Sequence, residues 1–178
     1  MFNYSTCPND INIEYDSGRI KLKQCPSDIS QFSTEPLTPL ITDNQWHFIA
    51  VTYNYSNNPN VVFYFDGAQV TPPYFRSQSY PYPLDTELGS STAYMGIGSD
   101  PQWVGEVSNV QFYNTTLSPA DIKALYQEGI GGDPIALSKL VGWWPLNGNA
   151  NDYSGNNNNG DASGIRWNGN WWQDYSSS

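Results

Sequence analysis

At 178 residues the chain suits one domain, or one and a fraction. Hydrophobic residues make up 38% and aromatics 15%, against 13% charged, which excludes a disordered composition and fits a turn-rich, all-β secreted protein. Seven Lys plus Arg stand against seventeen Asp plus Glu, a net charge of −10, which excludes a nucleic-acid partner and leaves an acidic, soluble surface able to attract divalent cations.

No run of about 18 apolar residues occurs, so no membrane span is encoded. The first ten residues, MFNYSTCPND, have neither a basic nor an apolar region and do not read as a signal peptide. That leaves a removed leader, or a Met1 that is not the natural start. Between Cys7 and Cys25 lies INIEYDSGRIKLKQ. It predicts a hairpin, with strands at 11–15 and 20–24 around a turn at 16–19. Such a hairpin brings Cys7 and Cys25 near each other, and a disulfide closing the loop would contribute about 3 kcal/mol. The alternative is two buried free thiols.

The run QWHFIAVTY at 45–53 predicts a central strand buried on both faces. His47 lies in it without a Ser, Cys or metal-ligand neighbour and reads as a structural histidine. VVFYF, Asp66-Gly67 and AQV predict a tight hairpin, because Asp-Gly tolerates the positive φ of a type I′ turn. Prolines 72, 73, 81 and 83 place the next stretch in loop or edge. YMGI (94–97) and VSNVQFY (107–113) are further strand candidates.

One helix is written at 119–128. Ser118 is its N-cap, Pro119 its first residue, Asp121 faces the helix dipole, and Gly129 ends it. Ile122, Leu125 and Tyr126 form its apolar face. Residues 131–138 connect to a new strand at 140–145. An Asn/Gly/Asp/Ser loop fills 147–164, and IRWNGNWW (165–172) predicts a last strand or aromatic arm.

The run DNQWHFIAVTYNYSNNPNVVFYFDGAQV resembles the middle of a laminin G-like domain of the concanavalin A-like lectin/glucanase superfamily. YMGIGSDPQWVGEVSNVQFYNTTLSPADIKALY resembles that family's closing signature, and LVGWWPLNGNANDYSGNNNNG its opening one. The resemblance implies an all-β, concanavalin A-like jelly-roll β-sandwich of antiparallel strands with one short helix near 119–128. The order is inverted, with a module's close preceding a module's opening. We therefore expect a sandwich body at 1–130, incomplete on its N-terminal side, a linker at 131–139, and an opening strand, Asn/Gly loop and Trp-rich arm at 140–178. The chain is a slice of a tandem array, a permuted single module, or a subunit that donates its tail to a neighbour. Donation is β-strand addition, and head-to-tail donation builds a fibre. Five of the seven Trp lie in the tail, at 143, 144, 167, 171 and 172, a large apolar surface to hide.

The functional expectation is a non-enzymatic extracellular structural or adhesive protein, a surface-fibre subunit whose partners are copies of itself. The alternative is a carbohydrate-binding, lectin-like module with Trp171, Trp172, Tyr80 and Tyr82 stacking on glycans; the competing reading of those rings is that they simply pack. A glycosidase needs paired carboxylates, and the strand GEVSNVQFY offers Glu106 alone. The sequons at Asn3, Asn54 and Asn114 mark possible glycosylation. Calcium is the one cofactor expected, since family relatives often hold it near this loop, here with Asp152, Asn156 and Asp161 as ligands and Asn151 beside them. The alternative is an Asn/Gly turn whose side chains bond the backbone.

Overall fold

The computed structural model describes residues 11–16, 19–24, 32–34, 43–54, 61–70, 74–75, 106–162 and 166–167. It divides into two compact units, Met1–Asp100 and Pro101–Ser178. The division falls ahead of the closing strand, so 131–139 and the strand after it belong to the same unit as the helix.

In the first unit, β1 (Ile11–Asp16) and β2 (Arg19–Gln24) form the expected hairpin, one residue longer on each side of the turn. β2 also pairs with β3 (Phe32–Ser33), which pairs with β7 (Tyr74–Phe75). Thr34 prolongs the β2–β3 contact: its N–H donates to the Ile20 carbonyl at 3.0 Å, and its hydroxyl accepts the Ile20 N–H at 3.1 Å. The threonine is buried with both groups satisfied, as a buried polar residue must be.

A second sheet has the order β4 (Ile49–Tyr53), β5 (Val61–Phe65), β6 (Ala68–Val70). Val61, Phe63 and Phe65 alternate along β5 onto one face. They form one buried cluster with Ile20 and Leu22 of β2, against which Ile49, Val51, Tyr53 and Val70 pack. The hairpin turn is the predicted one: Asp66 has φ 49° and Gly67 φ 73°, the two positive values a type I′ turn demands.

The expectation of a central strand across 45–53 is corrected. The strand begins only at Ile49, pairs with β5 alone among the described residues, and is half-buried along most of its length. β5 is the inner, deeply buried strand instead. Residues 43–48 are diverted because His47 and Phe48 bond Asp66 of the turn, while Asp43 bonds His47 from the other side.

In the second unit, β8 (Val110–Tyr113) leads into α1 (Pro119–Glu128). The helix boundaries are those expected. Ser118 and Asp121 make a full capping box, the Asp121 N–H donating to Ser118 Oγ at 3.2 Å and the Ser118 N–H to Asp121 Oδ2 at 3.0 Å. Ile122 and Leu125 are buried with Leu117, but Tyr126 is 42% exposed. One residue is a 100° step around a helix, which carries Tyr126 to the rim of so narrow an apolar face. A 3₁₀ turn at Leu137–Lys139 delivers the chain to β9 (Leu140–Trp144), which pairs antiparallel with β8. The strands expected at 107–113 and 140–145 are thus present in shortened form. Arg166 and Trp167 are exposed and in no strand, and the rest of the expected arm at 165–172 lies outside the described residues. So does the candidate strand at 94–97.

Candidate functional site

β9 has two edges. Val110, Gln111 and Phe112 of β8 stand opposite Trp144, Trp143 and Gly142, and an irregularity follows before Tyr113 meets Leu140. The other edge would be left with unpaired backbone groups, a template for adding a foreign strand. The Asn-rich loop covers it. Asp152 Oδ1 accepts the Trp143 N–H at 2.9 Å, and the Trp143 carbonyl accepts the Tyr153 N–H at 2.8 Å. The Val141 carbonyl accepts from Ser154 Oγ at 3.2 Å, Asn156 Nδ2 at 3.0 Å and Asn158 Nδ2 at 2.9 Å. Asn156 Nδ2 also reaches the Leu140 carbonyl at 3.0 Å.

Residues 152–158 form a bent loop, with Gly155 at φ 91° and Asn157 at φ 59°, and this curl brings the side chains of Asp152, Ser154, Asn156 and Asn158 together against β9. Every one of them bonds the β9 main chain. The loop therefore does with side chains what a neighbouring strand would do with its backbone. It is also braced internally. Asp152 Oδ1 accepts the Ser154 N–H at 2.8 Å and Oδ2 the Asn158 N–H at 2.9 Å, while the Asp152 N–H donates to Asn159 Oδ1 at 2.9 Å. Burial alone would raise the Asp152 pKa, but these backbone donors and the Ser154 hydroxyl outweigh it and hold the carboxyl below 3.8.

Trp143 and Trp144 are fixed by their indole N–H groups. Trp143 donates to Asn109 Oδ1 at 2.8 Å and meets the Tyr153 ring edge-on at 6.2 Å between centroids. Trp144 donates to the Asn158 carbonyl at 2.9 Å and lays its indole over Gly142, where a Cβ would collide with the ring. Asn109, at φ 51°, also donates to the Gly132 carbonyl at 3.1 Å. Sequence reasoning missed this residue. Its only signal is an Asn just ahead of a strand, a residue type that tolerates the left-handed region.

Two of the three expected calcium ligands, Asp152 and Asn156, take part in the hydrogen-bond network of the loop. The carboxylate oxygens of Asp152 face N–H dipoles whose positive ends oppose a cation, and Asn156 aims its NH₂ at carbonyls. Asp161 is exposed. Among the described residues no group of three or more His, Cys, Asp and Glu could hold a metal ion.

The second polar cluster lies in the other unit. His47 Nδ1 bonds Asp66 Oδ2 at 2.9 Å and Nε2 bonds Asp43 Oδ1 at 3.1 Å, while the ring stacks on Phe65 at 4.8 Å. Asp66 Oδ1 accepts the Phe48 N–H at 2.9 Å. The imidazole thus ties the type I′ turn to the segment entering β4, with its side chain only 8% exposed.

Asn114, Thr115 and Thr116 are exposed in the bend after β8, and the Asn114 N–H donates to the Lys139 carbonyl at 2.9 Å. Asn54 is half-buried just past β4. Tyr80, Tyr82, Trp171, Trp172, Cys7, Cys25 and Asn3 lie outside the described residues. No helix among the described residues is long and apolar enough to cross a membrane.

Residues 3–123, more than half of the chain, match a laminin G-type family model described as the concanavalin A-like lectin/glucanases superfamily. No curated protein and no solved structure matches the chain.

Proposed function

The chain belongs to the concanavalin A-like lectin/glucanase superfamily, and on that premise we propose that it is a non-enzymatic, extracellular structural or adhesive protein built on a laminin G-type module. The family match carries this reading, and the pairing of β8 with β9 carries its architectural part, a module assembled within one chain. β8 lies inside the family-matched stretch and carries the closing signature; β9 lies beyond it and carries the opening one. Their antiparallel pairing stitches a module's close to a module's opening within one chain. That favours a permuted, self-closing module, for which the family's jelly-roll sandwich is the completed form.

Fibre assembly by tail donation has less support. The strand offered for donation already has β8 on one edge and the 152–158 segment on the other. Sedimentation velocity and electron microscopy of the purified chain test this: a single monomeric species is expected, and regular fibres would restore the donated-strand reading. Hydrolysis in a screen of glucan substrates would remove the non-enzymatic part of the proposal.

A carbohydrate-binding role is the second reading. It is favoured by exposed rings, Tyr153 at 51% and Trp167 at 38% in one unit and Trp46 at 46% in the other. Such rings offer flat apolar faces for stacking on sugars. Trp171, Trp172, Tyr80 and Tyr82 remain candidates in this reading. A glycan panel decides it: binding that survives Trp171→Ala and Trp172→Ala removes those two, and no binding at all removes the reading. The extracellular assignment includes a Cys7–Cys25 disulfide and glycans at Asn3, Asn54 and Asn114, checked by non-reducing peptide mapping of the native protein.

A further inference from the structure

The loop that caps β9 contains two Asn-Gly pairs, Asn147-Gly148 and Asn159-Gly160, and the structure treats them differently. Asn-Gly is the sequence in which a backbone nitrogen most easily attacks the preceding side chain, since glycine has no Cβ to obstruct the approach.

At Asn159-Gly160 both reacting groups are held. The Gly160 N–H donates to the Ala150 carbonyl at 2.7 Å, and Asn159 Oδ1 accepts the Asp152 N–H at 2.9 Å. Gly160 also sits against Ala150, where a Cβ built on the glycine would come within 3.1 Å of the alanine's. The nitrogen cannot swing toward its own Asn159 Cγ without breaking both bonds and pushing the chain off Ala150. At Asn147-Gly148 neither the Asn147 carboxamide nor the Gly148 N–H makes a hydrogen bond among the described residues. Gly148 is exposed, with φ 107°, a backbone conformation that favours glycine.

We propose that Asn147-Gly148 is a self-modification site, at which the chain's own backbone converts Asn147 to aspartyl or isoaspartyl, and that Asn159-Gly160 in the same loop is held unreactive. The Gly148 nitrogen loses its proton to solvent base and attacks Asn147 Cγ. The N–Cγ bond forms, the Cγ–Nδ2 bond breaks, and the departing nitrogen leaves as ammonia. Water then opens the cyclic imide at either carbonyl, restoring an amide bond and leaving one new carboxylate. No oxidant or reductant is involved. The result matters to the cap. A carboxylate at 147 leaves the edge bonds of β9 untouched, whereas isoaspartyl at 159 would add a carbon to the main chain and shift the oxygen that accepts the Asp152 N–H. This inference does not depend on the adhesive reading.

The test uses the unmodified chain, incubated in mildly alkaline buffer and sampled over days. Peptide mapping reads the mass gain of amide-to-acid conversion at each Asn, and isoaspartate is resolved by electron-based fragmentation. The same chain unfolded in urea supplies the intrinsic rates. Conversion at Asn147 is expected to outpace that at Asn159 severalfold in the folded chain, with the two rates converging in urea. Asp152→Ala, which loosens the loop, should accelerate Asn159 toward its urea rate. Equal folded rates, a faster Asn159, or an Asn147 that is stable folded yet reactive in urea would each overturn the proposal.

Discussion

Asp152 Oδ1 accepts the Trp143 backbone N–H at 2.9 Å, nine residues earlier in the chain, on the edge of β9 that β8 does not use. A carboxylate here takes the place of a strand. The same oxygen accepts the Ser154 N–H, and Oδ2 that of Asn158, so one side chain joins the covered strand to its cover.

Asp152→Ala removes these acceptors together. With the site half-open to water, the loss should be on the order of 2 kcal/mol, read by denaturant unfolding. Hydrogen exchange should show the Trp143 and Asn158 amides losing protection together. The folded pKa of Asp152 lies below its ordinary 3.8. Its contribution is therefore present above that value and is lost as pH falls through the lower folded pKa. Asp152→Asn should flatten that acid limb of the stability profile; an unchanged limb would assign the acid sensitivity elsewhere.

The His47 pKa is raised above 6.5: burial pulls it down, but the hydrogen bonds to Asp66 and Asp43 and then their charges outweigh this. The sign is opposite to that of Asp152. The contribution is fully present below pH 6.5 and is lost as pH rises through the higher folded value. His47 is the chain's one histidine, so its imidazole resonance is unique in a proton titration. Asp66→Asn keeps a side chain that tolerates positive φ while removing the charge, and should move that titration down.

Gly142→Ala places a methyl against the Trp144 indole, which is tethered by its N–H to the Asn158 carbonyl. Overpacking of this kind costs about 1–3 kcal/mol. A lower melting temperature with altered tryptophan emission is expected. Unchanged emission would mean that the ring does not lie over the glycine.

Ser118→Ala removes half of the capping box and should cost about 1 kcal/mol, while Gly67→Ala in the type I′ turn should cost a similar amount, about 1 kcal/mol. The two lie in different units, so each should lower the unfolding free energy of its own unit.

Because the Asp152 oxygens face N–H dipoles, we expect no change in melting temperature on adding calcium or a chelator. An upward shift with calcium would require the loop to rearrange around the ion.

The sequence by itself determined what short-range sterics decide. Asp66-Gly67 demanded a type I′ turn because its neighbours are strands and both residues accept positive φ. Ser118, Pro119, Asp121 and Gly129 marked a helix whose ends proved to be those expected. The order of the closing and opening signatures was legible too, together with the family. Tertiary structure alone decided the partners. From its sequence the Asn/Gly loop reads either as a calcium site or as a turn whose side chains bond the backbone. That it covers an edge of β9 shows only in the bonds to Trp143 and Val141. His47 finds Asp66 nineteen residues away, and the Trp143 indole finds Asn109 thirty-four residues away. Such contacts depend on where the fold brings distant backbone together, and a local pattern holds no record of that.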